Sequence, residues 1–159
     1  NHATKQIPNE TLIHILNKAG KPVLLIGGDA EKENANAIER DLNVPVSNQC
    51  GQLSIDGSAG AIQNSKLVLT PDTGMMHIAA ALSKPVISVW GNTTPELGMY
   101  PYMPGEKHKS YIAEVKDLSC RPCSKIGFEK CPKGHFNCMQ KQDTGAIVSQ
   151  INLFWNKYE

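Results

Sequence analysis

The sequence predicts an α/β fold built on a doubly wound parallel sheet. Three features carry that prediction. Short runs such as Val23-Leu24-Leu25-Ile26 and Val86-Ile87-Ser88-Val89-Trp90 are apolar at nearly every position, as parallel strands buried on both faces are. Segments with apolar residues at helical spacing alternate with these runs along the chain. Polar, turn-forming stretches follow the strand-like runs, at 27–29, 49–54, 71–74 and 91–95. Right-handed crossovers bring such turns to one edge of the sheet, where open α/β sheets bind their ligands.

Taken in order, Pro8 suits the first turn of a helix and Glu10 its positive end. Leu12, Ile15, Leu16 and Ala19 form that helix's apolar face, and Gly20 ends it. Lys21-Pro22 leads into the first strand. In Gly27-Gly28-Asp29 the chain turns tightly, and Asp29 is placed to cap a helix with Ala35, Ile38 and Leu42 on its apolar face. Val44-Pro45-Val46 is a poorer strand, its Pro marking an edge or a strand start. Ser54 is an N-cap for a helix at about 55–64. Gly57 and Gly60 weaken that helix by roughly 1 kcal/mol each. Leu67-Val68-Leu69 is the next strand, followed by Thr70-Pro71-Asp72-Thr73-Gly74 and an Ala-rich helix. After the strand 86–90, the Gly-, Pro- and Tyr-containing region 96–109 reads as loop, and Tyr111-Ile112-Ala113 as a last short strand. A helix at about 143–158 carries the apolar stripe Ile147, Ile151, Phe154, Trp155 and Tyr158.

A chain of 159 residues is expected to form one domain. At that size about 70% of the unfolded surface is buried, enough for a core without staples. Sixteen Lys and Arg balance fifteen Asp and Glu, so no basic footprint for nucleic acid is expected. No apolar run approaches the ~20 residues of a spanning helix, and no signal-peptide pattern opens the sequence. It begins Asn1-His2-Ala3, without Met, as a piece of a longer protein does.

The stretch 70–77 is the richest in chemistry. Asp72-Thr73-Gly74 is also the tripeptide of aspartic proteases, but it recurs at Asp143-Thr144-Gly145, where it reads as a helix cap. A protease copy belongs in an all-β setting. Two readings of Asp72 remain, a helix N-cap or part of a ligand site. In the ligand reading the backbone N–H groups of residues 74–76 face a cleft, and the helix end favours an anion by about 0.3–1 kcal/mol. Asp72 repels a diphosphate and therefore accepts from sugar hydroxyls. His77, one helical turn on, either donates to a phosphate or is a half-buried structural histidine. Gly27-Gly28-Asp29-Ala30-Glu31 lacks the G-x-G-x-x-G spacing. A carboxylate there either holds ribose hydroxyls or complements the helix dipole. Lys5 taken singly is a solvated charge, and Thr93 and Thr94 either donate to a phosphate or close a turn.

Four of the five cysteines, Cys120, Cys123, Cys131 and Cys138, lie close together in sequence, with His135 among them. Two ligands two residues apart, followed by two more, can make a tetrahedral zinc site. Disulfides or free thiols are the alternatives. Any role is structural, because no acid or base is positioned with them. Cys50 is a lone thiol.

Together these residues resemble glycosyltransferase family nine, the ADP-heptose:lipopolysaccharide heptosyltransferases. The central match is Asp72-Thr73-Gly74-x-x-His77-Ile78-Ala79-Ala80-Ala81-Leu82-x-Lys84-Pro85-Val86, then Trp90-Gly91-x-Thr93-x-Pro95. Lys5-x-x-Pro8 resembles the family's Lys-Arg-Trp-Pro segment, and Gly27-Gly28 with an acid close behind resembles its next turn. Cys120-x-Pro122, Cys131-Pro132 and Cys138-Met139 are similar to the tail of many members. Ile7 stands where Trp is frequent, and Asn92 where Pro is common.

The resemblance implies the C-terminal half of a GT-B enzyme: a Rossmann-like donor-binding domain over 1–159, with a Cys-rich segment at 120–138 and the N-terminal acceptor domain absent. It implies that Lys5 contacts donor phosphate and that Asp72 holds the transferred sugar. Thr73, Gly74 and His77 lie around the diphosphate, with Thr93 beside them. Glu31 takes the ribose, with Asp29 and Glu33 as rivals. The implied reaction moves a heptose from an ADP-sugar to a lipopolysaccharide core acceptor, with inversion. The catalytic base sits in the missing domain, no catalytic cofactor is needed, and zinc, if bound, is structural. The implied location is cytoplasmic, free or peripheral to the inner face of the inner membrane. Two other readings stand beside it: a GT-B transferase or epimerase half using UDP-sugars, and a non-catalytic zinc-stabilised binding module.

Overall fold

The computed structural model describes residues 3–158. Helix α1 (Asn9–Ala19) starts after Pro8 and ends at Gly20, which takes the left-handed conformation at φ 66°. Strand β1 (Val23–Leu25) follows, then a 3-10 turn (Asp29–Glu31) and helix α2 (Lys32–Asp41). Strand β2 (Val46–Asn48) begins just after Pro45, as a strand-start proline requires. Helix α3 (Ile55–Gln63) is capped by the Ser54 side chain, which accepts from Gly57 N–H. Strand β3 (Val68–Pro71), helix α4 (Gly74–Ala81), strand β4 (Val86–Trp90) and strand β5 (Ser110–Glu114) complete the alternation. A short helix α5 (Asn137–Gln140), which the periodicity did not signal, precedes the last helix, α6 (Thr144–Lys157). Asp143 caps α6 by accepting from Ala146 N–H, the role expected for the second Asp-Thr-Gly.

All strand pairs are parallel. β4 lies between β3 and β5, with Val68 opposite Val86 and Val86 opposite Ser110, while β1 pairs with β2. β4 is buried along its whole length. Ile87 and Val89 face one core with Ile15, Ile147, Ile151 and Phe154 of α1 and α6. Val86 and Trp90 face the other with Ile62 of α3 and Met76 and Ala79 of α4. Period-two alternation thus sends one strand's side chains to helices on both faces, the doubly wound arrangement. The Trp90 indole N–H donates to Ser88 Oγ at 2.9 Å, which satisfies both polar groups inside the strand.

One expectation fails. The run 23–26 reads as buried on both faces, yet Leu24 is 43% exposed. The sheet is not continuous: β1 and β3 do not pair, and a cleft of about 670 Å³ separates them. Its walls include Leu25 and Ile26 on one side and Leu67 and Leu69 on the other. An apolar run looks the same whether a neighbouring strand or a cleft covers it.

Candidate functional site

At the C-terminal ends of β1 and β3 the cleft is lined by Gly27, Gly28, Glu31, Asp72, Thr73 and Gly74, together with Lys5 from the N-terminal 3-10 turn (Ala3–Lys5). Pro71 ends β3, and the chain turns inward at Asp72, which is only 6% exposed. A buried carboxylate needs partners. Lys5 Nζ lies 2.8 Å from Asp72 Oδ2, and Thr93 Oγ1 donates to the same oxygen at 2.9 Å. Asp72 therefore does not cap α4. Thr73 holds the N-cap position, its side chain makes no capping bond, and its hydroxyl shares a hydrogen bond with Thr70 at 3.1 Å. Met76 N–H turns back to Thr73 C=O, which leaves the N–H groups of Gly74 and Met75 at an uncapped helix end.

The structure thus joins Lys5, Asp72 and Thr93, which sit in three distant parts of the sequence. Thr93 is buried behind Asp72 and is not part of the cleft lining. His77 is half-buried in α4, also outside that lining. Glu31 does line the cleft, and its carboxylate accepts from Gly28 N–H at 3.0 Å. That bond, rather than the expected Asp29 cap, closes the turn into α2, because the 3-10 turn puts Glu31 in reach of the amide three residues back. Asp29 and Glu33 are exposed. Asp29 packs against Gly51 at φ 72°, where an added Cβ would sit 2.6 Å from Asp29 Oδ1.

The segment between β5 and α5 has no regular secondary structure, yet it holds this site from behind. Arg121 donates through Nε to Gly91 C=O, through one terminal nitrogen to Val115 C=O at 3.0 Å and through the other to Thr93 C=O at 3.0 Å. Its charge meets Glu114 Oε2 at 2.8 Å. Thr4, next to Lys5, donates to Phe128 C=O and accepts from Phe128 N–H at 2.7 Å. Nothing in the sequence marked Arg121 or Phe128 for this role, since Gly91, Thr93 and Thr4, the residues they secure, lie 28 to 124 positions away.

All five cysteines are free thiols. Cys120 Sγ lies 3.9 Å from His135 Nε2, and Cys123 Sγ donates to Cys120 C=O. Among the described residues, however, no group of three or more His, Cys, Asp and Glu side chains is arranged to hold a metal. The expected four-thiol zinc site is not assembled in this conformation. Burial pushes the Cys138 thiol from its ordinary 9.0 up to about 11. At Cys131 burial acts in the same direction, but the backbone N–H groups of residues 133–136 outweigh it and lower the thiol below its ordinary value.

Comparison with known proteins decides the family. The profile of glycosyltransferase family 9 (heptosyltransferase) matches residues 2–129, most of the chain. The chain belongs to glycosyltransferase family 9. Lipooligosaccharide heptosyltransferase 2 of Campylobacter jejuni is 28% identical over 141 residues, which cover 86% of this chain and 42% of that protein. Lipopolysaccharide heptosyltransferase 2 of Escherichia coli is 30% identical over 100 residues, covering 60% of this chain and 27% of that one. The structure of E. coli ADP-heptose lps heptosyltransferase II superposes with a TM-score of 0.74 at 20% identity, over 98% of this chain and 44% of that one. E. coli heptosyltransferase WaaC with ADP gives 0.64 at 24% identity, over 95% and 40%. These structures share the fold, which is that of GT-B heptosyltransferases. This family 9 chain spans less than half the length of these relatives.

Proposed function

We propose that this chain is the nucleotide-sugar donor domain of a glycosyltransferase that moves a heptose-type sugar from an ADP-sugar to a lipopolysaccharide core acceptor. The observation that carries the reading is the Lys5–Asp72–Thr93 cluster at the C-terminal end of β3, beside the uncapped start of α4. One protein of the same fold is named an ADP-heptose lps heptosyltransferase and another is described with ADP, which supports an ADP-sugar as the donor.

The chemistry follows from the charges. A diphosphate needs donors, and the α4 N-terminus supplies the amides of Gly74 and Met75 with the positive end of the helix dipole. Lys5 adds a cation within reach of both Asp72 and the phosphates. Thr93 and Lys5 both contact Asp72 Oδ2, so Oδ1 is the oxygen left to accept from sugar hydroxyls. Stabilising the departing diphosphate by Lys5 and helix amides is electrostatic catalysis. Glu31 is assigned to the ribose at the β1 side of the cleft. Thr73 and Gly74 flank the diphosphate, with His77 behind them on α4. The base that activates the acceptor comes from a part of the protein outside this chain, as does the acceptor site. No helix of the described residues is long and apolar enough to cross a membrane; the proposed place of work is the cytoplasmic face of the inner membrane, where a lipid-linked acceptor is within reach.

A structural zinc on Cys120, Cys123, Cys131 and Cys138 is a separate proposal, supported by their grouping in one segment. It requires the thiols to close together. Metal analysis of the purified chain tests it: one zinc per chain is the expected result, and a metal-free, fully folded chain discards it.

Titration calorimetry with ADP-, UDP- and GDP-sugars tests the donor assignment. The expected order puts ADP-sugar first and finds no sugar transfer by the isolated chain. Tighter UDP-sugar binding favours the alternative GT-B or epimerase reading. Tight metal without nucleotide affinity favours a binding module, and turnover by residues 1–159 alone defeats the half-enzyme reading.

A further inference from the structure

The turn 91–94 presses Thr93 against Asp72, yet its own side chains do little to hold it. Asn92 is buried with neither amide atom partnered, and the Thr93 hydroxyl is engaged by Asp72. What fixes the turn comes from the tail of the chain. Four consecutive carbonyls accept from it: Trp90 from Gln142 Nε2 at 3.0 Å, Gly91 from Arg121 Nε, Asn92 from Cys123 N–H at 3.0 Å, and Thr93 from Arg121 at 3.0 Å. Arg121 supplies two of the four, and its side chain is only 6% exposed. A guanidinium suits this task because its donors form a rigid planar fork that reaches two separated carbonyls at once. An ammonium is a point donor on a flexible stem.

We propose that Arg121 is a positioning residue of the donor site: it sets the turn that places Thr93 on Asp72. The proposal rests on the donor-site reading of that cluster. The same tail segment fixes Lys5 from the other flank, through the Thr4–Phe128 pair. The two flanks also touch, since a Cβ on Gly91 would meet Thr4 C=O at 2.8 Å. The hydrogen bonds and ion pair of Arg121 go to Gly91, Thr93, Val115 and Glu114, not to the start of α4. Its loss therefore disturbs the carboxylate that reads the sugar while leaving the amides that receive the diphosphate.

The test compares the unsubstituted chain with Arg121→Ala, Arg121→Lys and Glu114→Gln. The ligands are ADP and ADP-heptose, titrated calorimetrically, and amide hydrogen exchange over residues 91–94 is followed without ligand. Arg121→Ala is expected to lower the preference for ADP-heptose over ADP by about tenfold, the equivalent of one charge-assisted hydrogen bond. It is also expected to speed exchange in the turn, and added guanidinium is expected to restore both. Arg121→Lys shows the same loss and serves where the alanine variant folds poorly. Glu114→Gln removes the ion pair but keeps the fork, so it lowers the melting temperature and leaves the preference intact. An unchanged preference in folded Arg121 variants overturns the proposal. So does an equal loss for both ligands that guanidinium does not restore, because that marks a merely structural arginine. If the unsubstituted chain binds neither ligand, the donor-site reading fails. Exchange over 91–94 and its rescue by guanidinium then still decide the positioning claim.

Discussion

At the scale of single residues, the site turns on one buried oxygen. Asp72 Oδ2 accepts from an ammonium and a hydroxyl, so the carboxylate is neutralised without closing its second oxygen. Asp72→Ala is expected to leave ADP binding in place while the preference for ADP-sugar over ADP falls about tenfold, the worth of one hydrogen bond to a charged group. Calorimetry with both ligands checks it, and a collapse of ADP binding itself defeats the sugar-reading role. The Asp72–Gly74 turn was legible from its own residues, because a polar turn between an apolar run and an Ala-rich helix is a local pattern. The pairing with Lys5 was not, since a lysine in a loop carries no sign of which carboxylate it meets. Cys138 makes a second residue-scale prediction. Its raised pKa means that the folded state holds the thiol proton more tightly than the unfolded state, so stability is full below about pH 9 and falls as pH rises toward about 11. Urea melts of the metal-free chain across that range show the fall, and Cys138→Ala should lessen it.

At the scale of elements, β4 is the centre of the molecule. Both cores rest on it, and its exit turn carries Thr93. Ile87→Ala removes a fully buried side chain between β4 and the α1–α6 face. It should cost about 2–5 kcal/mol in a denaturant titration, the range for such truncations in well-packed cores. Gly91→Ala acts differently. Its Cβ would sit 2.7 Å from Met139 Cε and 2.8 Å from Thr4 C=O. The methionine can shift, but the backbone oxygen beside Lys5 cannot without moving the site. The expected result is a loss of roughly 1–3 kcal/mol by overpacking, together with weaker ADP-sugar binding. Most element boundaries were readable, because capping residues such as Ser54, Gly20 and Asp143 act over three or four positions. The burial of β1 was misread, because apolar composition does not say what lies against the strand.

At the scale of the whole molecule, the chain spans less than half of its family 9 relatives. The proposed activity needs a second half to supply the acceptor and the base. Supplying that half should restore transfer that the isolated chain lacks, and a coupled assay of the two parts, with an Asp72→Ala control, measures it. By itself the sequence determined the family, the α/β alternation, the helix ends and the turn at 70–74. All of these rest on residues close together in the chain, where local sterics, capping and hydrophobic period act directly. Only the tertiary structure decided that β1 and β3 part around a cleft, that Lys5 and Thr93 share one oxygen of Asp72, and that Arg121 secures the turn behind them. Those contacts join side chains to backbone atoms and strands to distant strands. Such pairings are selected by the packing of the whole chain, and no short window of sequence contains both partners.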